Sequence, residues 1–523
     1  MRTLAAADLL IVAAYLFAVG FIGYRVGRRQ KTTAQYFVAN RRLPGWAVAF
    51  SIIGTVISSV SFIALPGAAF ARDWRLIVPN LTVPVVLVFV TLVIVPFYRR
   101  VVGMSSYEYL ERRFGVLARL YGSFGFVILR TVDLGFTLLL TAIAVEVITG
   151  WDIHWVIAGV GLFTIIYTLL GGIEAVVWND VLQGLVLASG ALTILYNVLF
   201  RAPAAAAAVV GKAWEGGRFG LGDFTLSWGS LFGEHPTFWM FAITGFAHFG
   251  RSYIVEQNMV QRYLVARTNR EAQRATFTGA MLCLVIWLTF SFIGSCLWAY
   301  YQYSASPLPA EVTARPDNIL PHFIATQLPH GLIGLILAAI LAAAMQNFSA
   351  DLTSVATVTT QDYYARFRPG STDSQRLLFG RLGVLVVGLL ATGVALQLTQ
   401  SRTRAVYEVF VVLASIVAGG ILGLFALGFF STRATRRGAY WGLACCVAFV
   451  AWATLSGPLK VDLGWNFRMH PIMIGLISHV VVFAGGFIAS IGIKDARSDL
   501  AGLTLWSLHQ VRKDKETVRA GNS

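Results

Sequence analysis

Thirteen stretches of roughly 20 apolar residues follow one another along the chain, near 4–26, 46–71, 76–98, 117–146, 155–172, 177–199, 237–260, 277–301, 330–362, 377–399, 404–430, 438–456 and 472–493. As a helix, a segment of that length matches the hydrocarbon core of a bilayer, about 30 Å. Each is too long and too evenly apolar for a strand of a membrane barrel. A closed helix is the other way to satisfy backbone N–H and C=O groups in lipid. The composition agrees: the 523 residues are 57% hydrophobic and 13% charged, about half the charged share of a soluble domain. The expected fold class is an all-α membrane protein with about 13 transmembrane helices. A soluble enzyme, a disordered chain and a disulfide-rich secreted fold are excluded. Cys283, Cys296, Cys445 and Cys446 lie in apolar stretches without metal-ligand spacing and read as packing residues. The first span is followed by an arginine-rich loop rather than a small-residue cleavage site, so it reads as a retained helix.

The net charge of +16 is distributed by topology. Of 41 Lys and Arg, 28 fall in loops after odd-numbered spans, at the span ends that border them or in the tail, 11 fall on the opposite side, and Arg130 and Arg251 fall deeper within spans. By the positive-inside rule the 28 face the cytoplasm. With an odd number of spans, the expectation is an N-terminus outside and a C-terminus inside, in an inner (plasma) membrane. This basicity calls for the lipid bilayer as partner and for no nucleic acid.

An ionised side chain at mid-membrane costs roughly 2.5–3.5 kcal/mol even on lenient scales, so it is paired or functional. The candidates are Arg130 and Asp133 in span 4, Asp180 in span 6, Arg251 and Glu256 in span 7, Asp351 in span 9 and Glu408 in span 11. Arg130 and Asp133 are three apart and share a helix face, which suits either a self-neutralised packing pair or the wall of a solute cavity. Two spans read as interrupted: span 2, through Gly54 to Ser61 and Pro66-Gly67, and span 7, through Gly245, His248 and Gly250 into a polar exit. Span 2 opens one set of five helices and span 7 opens the next. Interrupted helices at matching positions of two halves point to a transporter binding site, where freed carbonyls hold a cation and helix ends face a solute. Close packing at small residues is the other reading of the same glycines and serines. No P-loop, HExxH zinc motif or nucleophile elbow is present, so no enzymatic activity is expected.

Several stretches then carry a resemblance. Tyr167 with Gly171-Gly172-Ile173-Glu174-Ala175 through Trp178-Asn179-Asp180 to Gln183 is similar to the signature of the sodium:solute symporter family. Glu256 to Leu264, with Ala266-Arg267 and Glu271-Ala272, agrees with it. So do Thr353 to Thr357 with Asp362-Tyr363-Tyr364, and the first loop from Tyr36 to Arg41 with Pro44. The likeness runs from about residue 8 to 430. It implies a LeuT-type core of two inverted five-helix repeats. On that basis 1–45 is an extra helix with the first cytoplasmic loop, 46–200 the first repeat (spans 2–6) and 201–236 an extracellular loop. The second repeat (spans 7–11) covers 237–437, two further helices 438–493, and a cytoplasmic tail 494–523.

The resemblance also implies site residues. The common sodium site falls on carbonyls of Gly54, Ile57 and Ala343, with Asp180 supporting the cation region. Its two hydroxyl positions fall on Gln346 and Asn347, a departure from the usual Ser or Thr. An amide offers an oxygen to a hard cation, but its NH2 can also donate into the same space. The amides therefore either coordinate sodium or close the site, and closure would leave proton coupling through Glu256, Asp133 or Asp180, or none. Where sugar-transporting members carry a Gln, an acid and a Lys stand Ser61, Asn80 and Cys283, so a sugar is not expected. Ser58, Ser61, Asn80, Arg130, Asp133, His248, Glu256 and Gln257 suggest a small polar solute of undetermined charge. The expected function is secondary active transport: sodium-coupled symport by alternating access, with sodium the coupling ion, no cofactor and no other metal. A solute sensor or scaffold of the same fold is the alternative of another class, and the oligomeric state is left open.

Overall fold

A computed structural model describes residues 4–229, 233, 237–304, 308–400, 419–492 and 500–507. The architecture among them is all-helical, with one isolated bridge between Leu43 and Ala266. The long elements are α1 (Ala6–Gly27), α2 (Gly45–Val56), α3 (Ser59–Ala71), α4 (Arg75–Val101), α5 (Val116–Thr149), α6 (Ile153–Phe200), α7 (Phe238–Ile254), α8 (Gln257–Val265), α9 (Asn269–Tyr303), α10 (Leu332–Val358), α11 (Asp373–Gln400), α12 (Ile421–Phe430), α13 (Arg436–Ser456) and α14 (Ile472–Gly492). Nine of the described helices are long and apolar enough to cross a membrane, or ten if the bent pair α2–α3 is one span.

The expected fifth and sixth spans form the continuous 48-residue run α6. A straight helix of that length would measure about 72 Å, more than twice the bilayer core. Gly172 interrupts it with φ 57° and ψ −156°. A Cβ there would sit 2.6 Å from the Tyr36 carbonyl oxygen, so the conformation and the close approach both require glycine. The expected eleventh span is described only as α12. Its residues 404–418, including Glu408, lie outside the described residues, as do the tail's basic positions.

Threonines and aspartates set the helix starts, as their side-chain oxygens accept the otherwise unpaired first N–H groups. Thr237 caps α7, Thr268 caps α9 and Thr435 caps α13. α10 is capped from another helix. Asp8 of α1 accepts from the backbone N–H groups of Gly331 at 2.6 Å and Gly334 at 2.8 Å. α10 is also the most enclosed of the candidate spans: 89% of its apolar window is buried, against 28% for α1 and for α14. It therefore forms the axis of the bundle, while α1 and α14 present much of their surface outward.

Two breaks shape the centre. α2 ends at Ile57, which is extended (φ −84°, ψ 120°), and α3 resumes at 56° to it. α7 ends at Ile254 and α8 begins at Gln257, with Glu256 extended between them (φ −71°, ψ 130°). The second break thus lies beyond the glycines expected to cause it. Gly245 and Gly250 sit inside continuous helix, and a Cβ on Gly245 would meet Pro79 Cα at 2.6 Å. Gly245 serves close packing of α7 on the turn that opens α4, and Gly250 faces Leu422 of α12. Arg262, expected in a cytoplasmic loop, is instead fully buried on α8.

A Gly172→Ala variant is expected to lose about 1–3 kcal/mol through a strained backbone. Its unfolding temperature in detergent should fall by several degrees. Gly159→Ala, whose added methyl meets nothing within 4 Å, should leave it unchanged.

Candidate functional site

The two breaks face a common cavity of about 660 Å³. Seven of the eight residues expected around the solute line it: Ser58, Ser61, Asn80, Arg130, Asp133, His248 and Glu256. Gln257 does not. Its amide is turned to the loop after α4, accepting from Ser106 N–H at 2.7 Å and donating to the Met104 carbonyl at 2.6 Å. This follows from helical geometry: Glu256 ends the extended break and aims inward, and the next residue on α8 points elsewhere. Thr55, Phe249, Arg251, Asn258, Trp287 and Asn347 complete the inner wall. The Trp287 indole donates to Ser61 Oγ at 3.2 Å, joining α9 to α3 across it.

The charges in the wall form one cluster from three helices and a break. Arg130 on α5 is bonded to Glu256, lies 3.3 Å from Asp133 and 3.4 Å from Asp351 on α10. Arg251 lies 3.1 Å from the other oxygen of Glu256. The sequence spacing pairs Arg130 with Asp133; the fold makes Arg130 the hub of three carboxylates. Asp133 is the loosest partner, with 48% of its side chain accessible, against 4% for Glu256 and none for Asp351. With all groups ionised, two guanidinium groups face three carboxylates. Ser58, Asn80 and Asn258 add neutral hydrogen-bonding groups on the same wall.

Behind this wall lies the region expected to hold a cation. Gly54 at the end of α2, Asp180 in the second half of α6 and Gln346 in the middle of α10 come together there, with Asn347 bonded to the end of α2, while Ile57 is the extended residue that follows α2 and Ala343 lies one turn before Gln346. A Cβ on Gly54 would lie 2.9 Å from Asp180 Oδ1 and 3.1 Å from Gln346 Cδ. The two amides point their NH2 groups outward to carbonyls: Gln346 donates to the Asp180 carbonyl at 2.9 Å, and Asn347 to the Thr55 carbonyl at 3.1 Å. Gln346 Oε1 and Asp180 Oδ1 are then buried without a hydrogen-bond partner among the described residues. Two unsatisfied hard oxygens remain beside the open end of α2, the donor type a sodium ion prefers. Asp180 Oδ2 accepts from Ser51 Oγ at 2.6 Å.

Several cavity residues escaped the sequence reading. Asn258 lines the cavity and stands four residues before Arg262, which is buried behind it; that helical spacing in a polar stretch could have marked one buried face. Ile472, Gly475, Leu476, Ser478 and His479 of α14 also line the cavity, and nothing in their local sequence signals it.

A profile of the sodium:solute symporter family matches residues 36–445. The chain belongs to that family. It is 33% identical over 470 residues to the sodium/sialic acid symporter NanT of Aliivibrio fischeri, covering 90% of each chain. It is also 33% identical over 476 residues to the sodium/sialic acid symporter SiaT of Proteus mirabilis, covering 91% of this chain and 93% of that one. A solved Na+-coupled sialic acid symporter, substrate-bound and outward-open, superposes with a TM-score of 0.86 at 31% identity, over 95% of this chain and 99% of the other. The transporter Mhp1 matches with a TM-score of 0.54 at 15% identity, over 87% of this chain and 93% of that one, which shows the shared LeuT-type fold alone. This symporter is accordingly a multi-pass membrane protein that carries a small solute together with sodium, and it is not an enzyme.

Removing one member of a buried ion cluster leaves the others uncompensated, at about 3–5 kcal/mol. Arg130→Gln should therefore sharply lower the unfolding temperature in detergent. Asp133→Asn, at the accessible edge, should shift it by less than a third as much in parallel melts.

Proposed function

We propose that this symporter takes up a sialic acid or a closely similar sugar acid, bound in the cavity between the two helix breaks. The observation that carries the reading is the Arg130–Arg251 pair in a polar cavity of about 660 Å³, a size suited to a small ligand. The solute carboxylate takes the place of Asp133 on Arg130, because Asp133 is the most accessible carboxylate of the cluster. Hydroxyl and amide groups of the solute meet Ser58, Ser61, Asn80 and Asn258, and His248 closes the wall from α7. Sequence reading argued against a sugar from Ser61, Asn80 and Cys283. The named relatives carry an acidic one, whose charge calls for a different set of partners.

Sodium, in this reading, lies beside Gly54, Ile57 and Ala343, held by Asp180 Oδ1 and Gln346 Oε1, with Asn347 fixing the end of α2. The two unpartnered oxygens support coordination rather than closure by the amides. Alternating access follows from two ligands that favour one state together. One sodium moving down about 100 mV contributes about 2.3 kcal/mol, which the entry of one carboxylate against the same potential offsets, so at one sodium per solute the sodium concentration gradient drives uptake. The N-terminus lies outside and the C-terminus in the cytoplasm of the inner (plasma) membrane, on the strength of the 28 basic residues on one side.

Proteoliposomes with an inward sodium gradient should accumulate radiolabelled sialic acid. Replacing sodium by choline at fixed pH should cut the initial rate at least tenfold; an equal rate in choline would remove the sodium site from the proposal. Gly54→Ala, which pushes a methyl against Asp180 and Gln346, should raise the sodium concentration for half-maximal uptake about tenfold, with a smaller change in the solute KM.

A further inference from the structure

We propose that α8 is the mechanical link between solute and sodium, with Arg262 as the positioning residue through which each ligand is sensed by the other. The proposal rests on the functional reading above and adds its internal coupling. α8 starts at the break that carries Glu256 in the solute cavity. Its far end is tied by Leu43 N–H to the Val265 carbonyl at 3.0 Å and by Arg267 N–H to the Leu43 carbonyl at 3.1 Å, just before α2 begins. The helix is thus tied through its backbone at one end, while the other is held by the side chains of Glu256, Gln257 and Asn258, two of which border the solute cavity.

One buried face of α8 reaches both sites. Asn258 lines the cavity and donates through Nδ2 to Asp351 Oδ1 at 2.7 Å, the same carboxylate that faces Arg130. One turn on, Arg262 Nη1 donates to the Asn258 carbonyl at 3.2 Å, and Nε donates to Ser51 Oγ at 3.2 Å. Ser51 in turn donates to Asp180 Oδ2 at 2.6 Å. The polar path from Arg130 to Asp180 is therefore unbroken: Arg130, Asp351, Asn258, Arg262, Ser51, Asp180.

The last contact is incomplete in an informative way. Arg262 Nη2 stands 3.9 Å from Asp180 Oδ2, and both side chains are fully buried. Nη2 and Asp180 Oδ1 each lack a hydrogen-bond partner among the described residues. A guanidinium and a carboxylate so enclosed would normally close to full contact, because their burial is costly unless they pair. Held short of it by α8, Arg262 acts as a tethered cation that competes with sodium for Asp180. Solute binding at Arg130 and Asn258 rearranges the contacts that hold the cavity end of α8, withdraws Arg262 from Asp180 and raises sodium affinity. By reciprocity, sodium raises solute affinity by the same factor. The physical warrant is one rigid helix whose position both sites bias.

The test is a binding cycle on the purified full chain: the Kd for sialic acid at saturating sodium and in choline, for wild type, Asn258→Ala, Arg262→Lys and Ser51→Ala. Each variant's ratio is taken against its own binding in choline, so a general loss of affinity cancels, and a cooperative thermal melt confirms folding. Wild type should tighten about tenfold with sodium, within the usual range for coupled sites. The ratio should fall below twofold in Arg262→Lys, which keeps the charge but cannot serve Ser51 and Asn258 together, and in at least one of the other two. Wild-type ratios in all folded variants would overturn the proposal. A wild-type ratio of one would overturn the functional reading beneath it, and this proposal with it.

Discussion

Charge balance inside the bundle is the constraint on which the rest depends. Three guanidinium groups (Arg130, Arg251, Arg262) face four carboxylates (Asp133, Asp180, Glu256, Asp351) in space closed off from bulk water on most sides. Ionised groups persist at that depth only when paired and hydrogen-bonded, so these contacts tie α5, α8 and α10 to one another. The set is one negative charge in excess when all members are ionised. A single sodium ion makes it neutral, which gives the protein an electrostatic reason to take up a cation before or with its solute.

The breaks in α2–α3 and α7–α8 belong to the same logic. Unwound backbone in a membrane is tolerated where it borders protein or a water-filled hollow. Both interruptions lie on the cavity, and each contributes something an unbroken helix would hide: the open end of α2 near Asp180, and Glu256 between two arginines. α10 runs between these features. It presents Gln346 and Asn347 to one region and Asp351 to the other, and its own start is secured by Asp8 of α1.

Much of this was legible in the sequence because lipid imposes simple rules. Apolar runs mark helices, and the serine-rich stretch after Gly54 marks the first break. The second break was legible in existence but not in position. Gly245 and Gly250 look like helix breakers, yet tertiary packing against the start of α4 and against α12 uses them, and the chain unwinds at Glu256 instead. Arg262 sits beside a run of basic loop residues and shares their composition, so only its contacts reveal that it is buried. The triple engagement of Arg130 was hidden for a similar reason. Its neighbour at three residues is visible, whereas its partners 126 and 221 residues away are brought in by the fold.

The wall built by α14 has a consequence of its own. Ser478 accepts from the backbone N–H of Gly420 at 3.0 Å, and Gly423 lets His479 approach so closely that no side chain fits between them. α14 carries none of the groups assigned to the ion, yet Leu476, Ser478 and His479 border the solute space. Part of the solute wall therefore stands apart from the groups assigned to the ion. A lineage can drift toward new nutrients by altering α14 while its engine stays untouched.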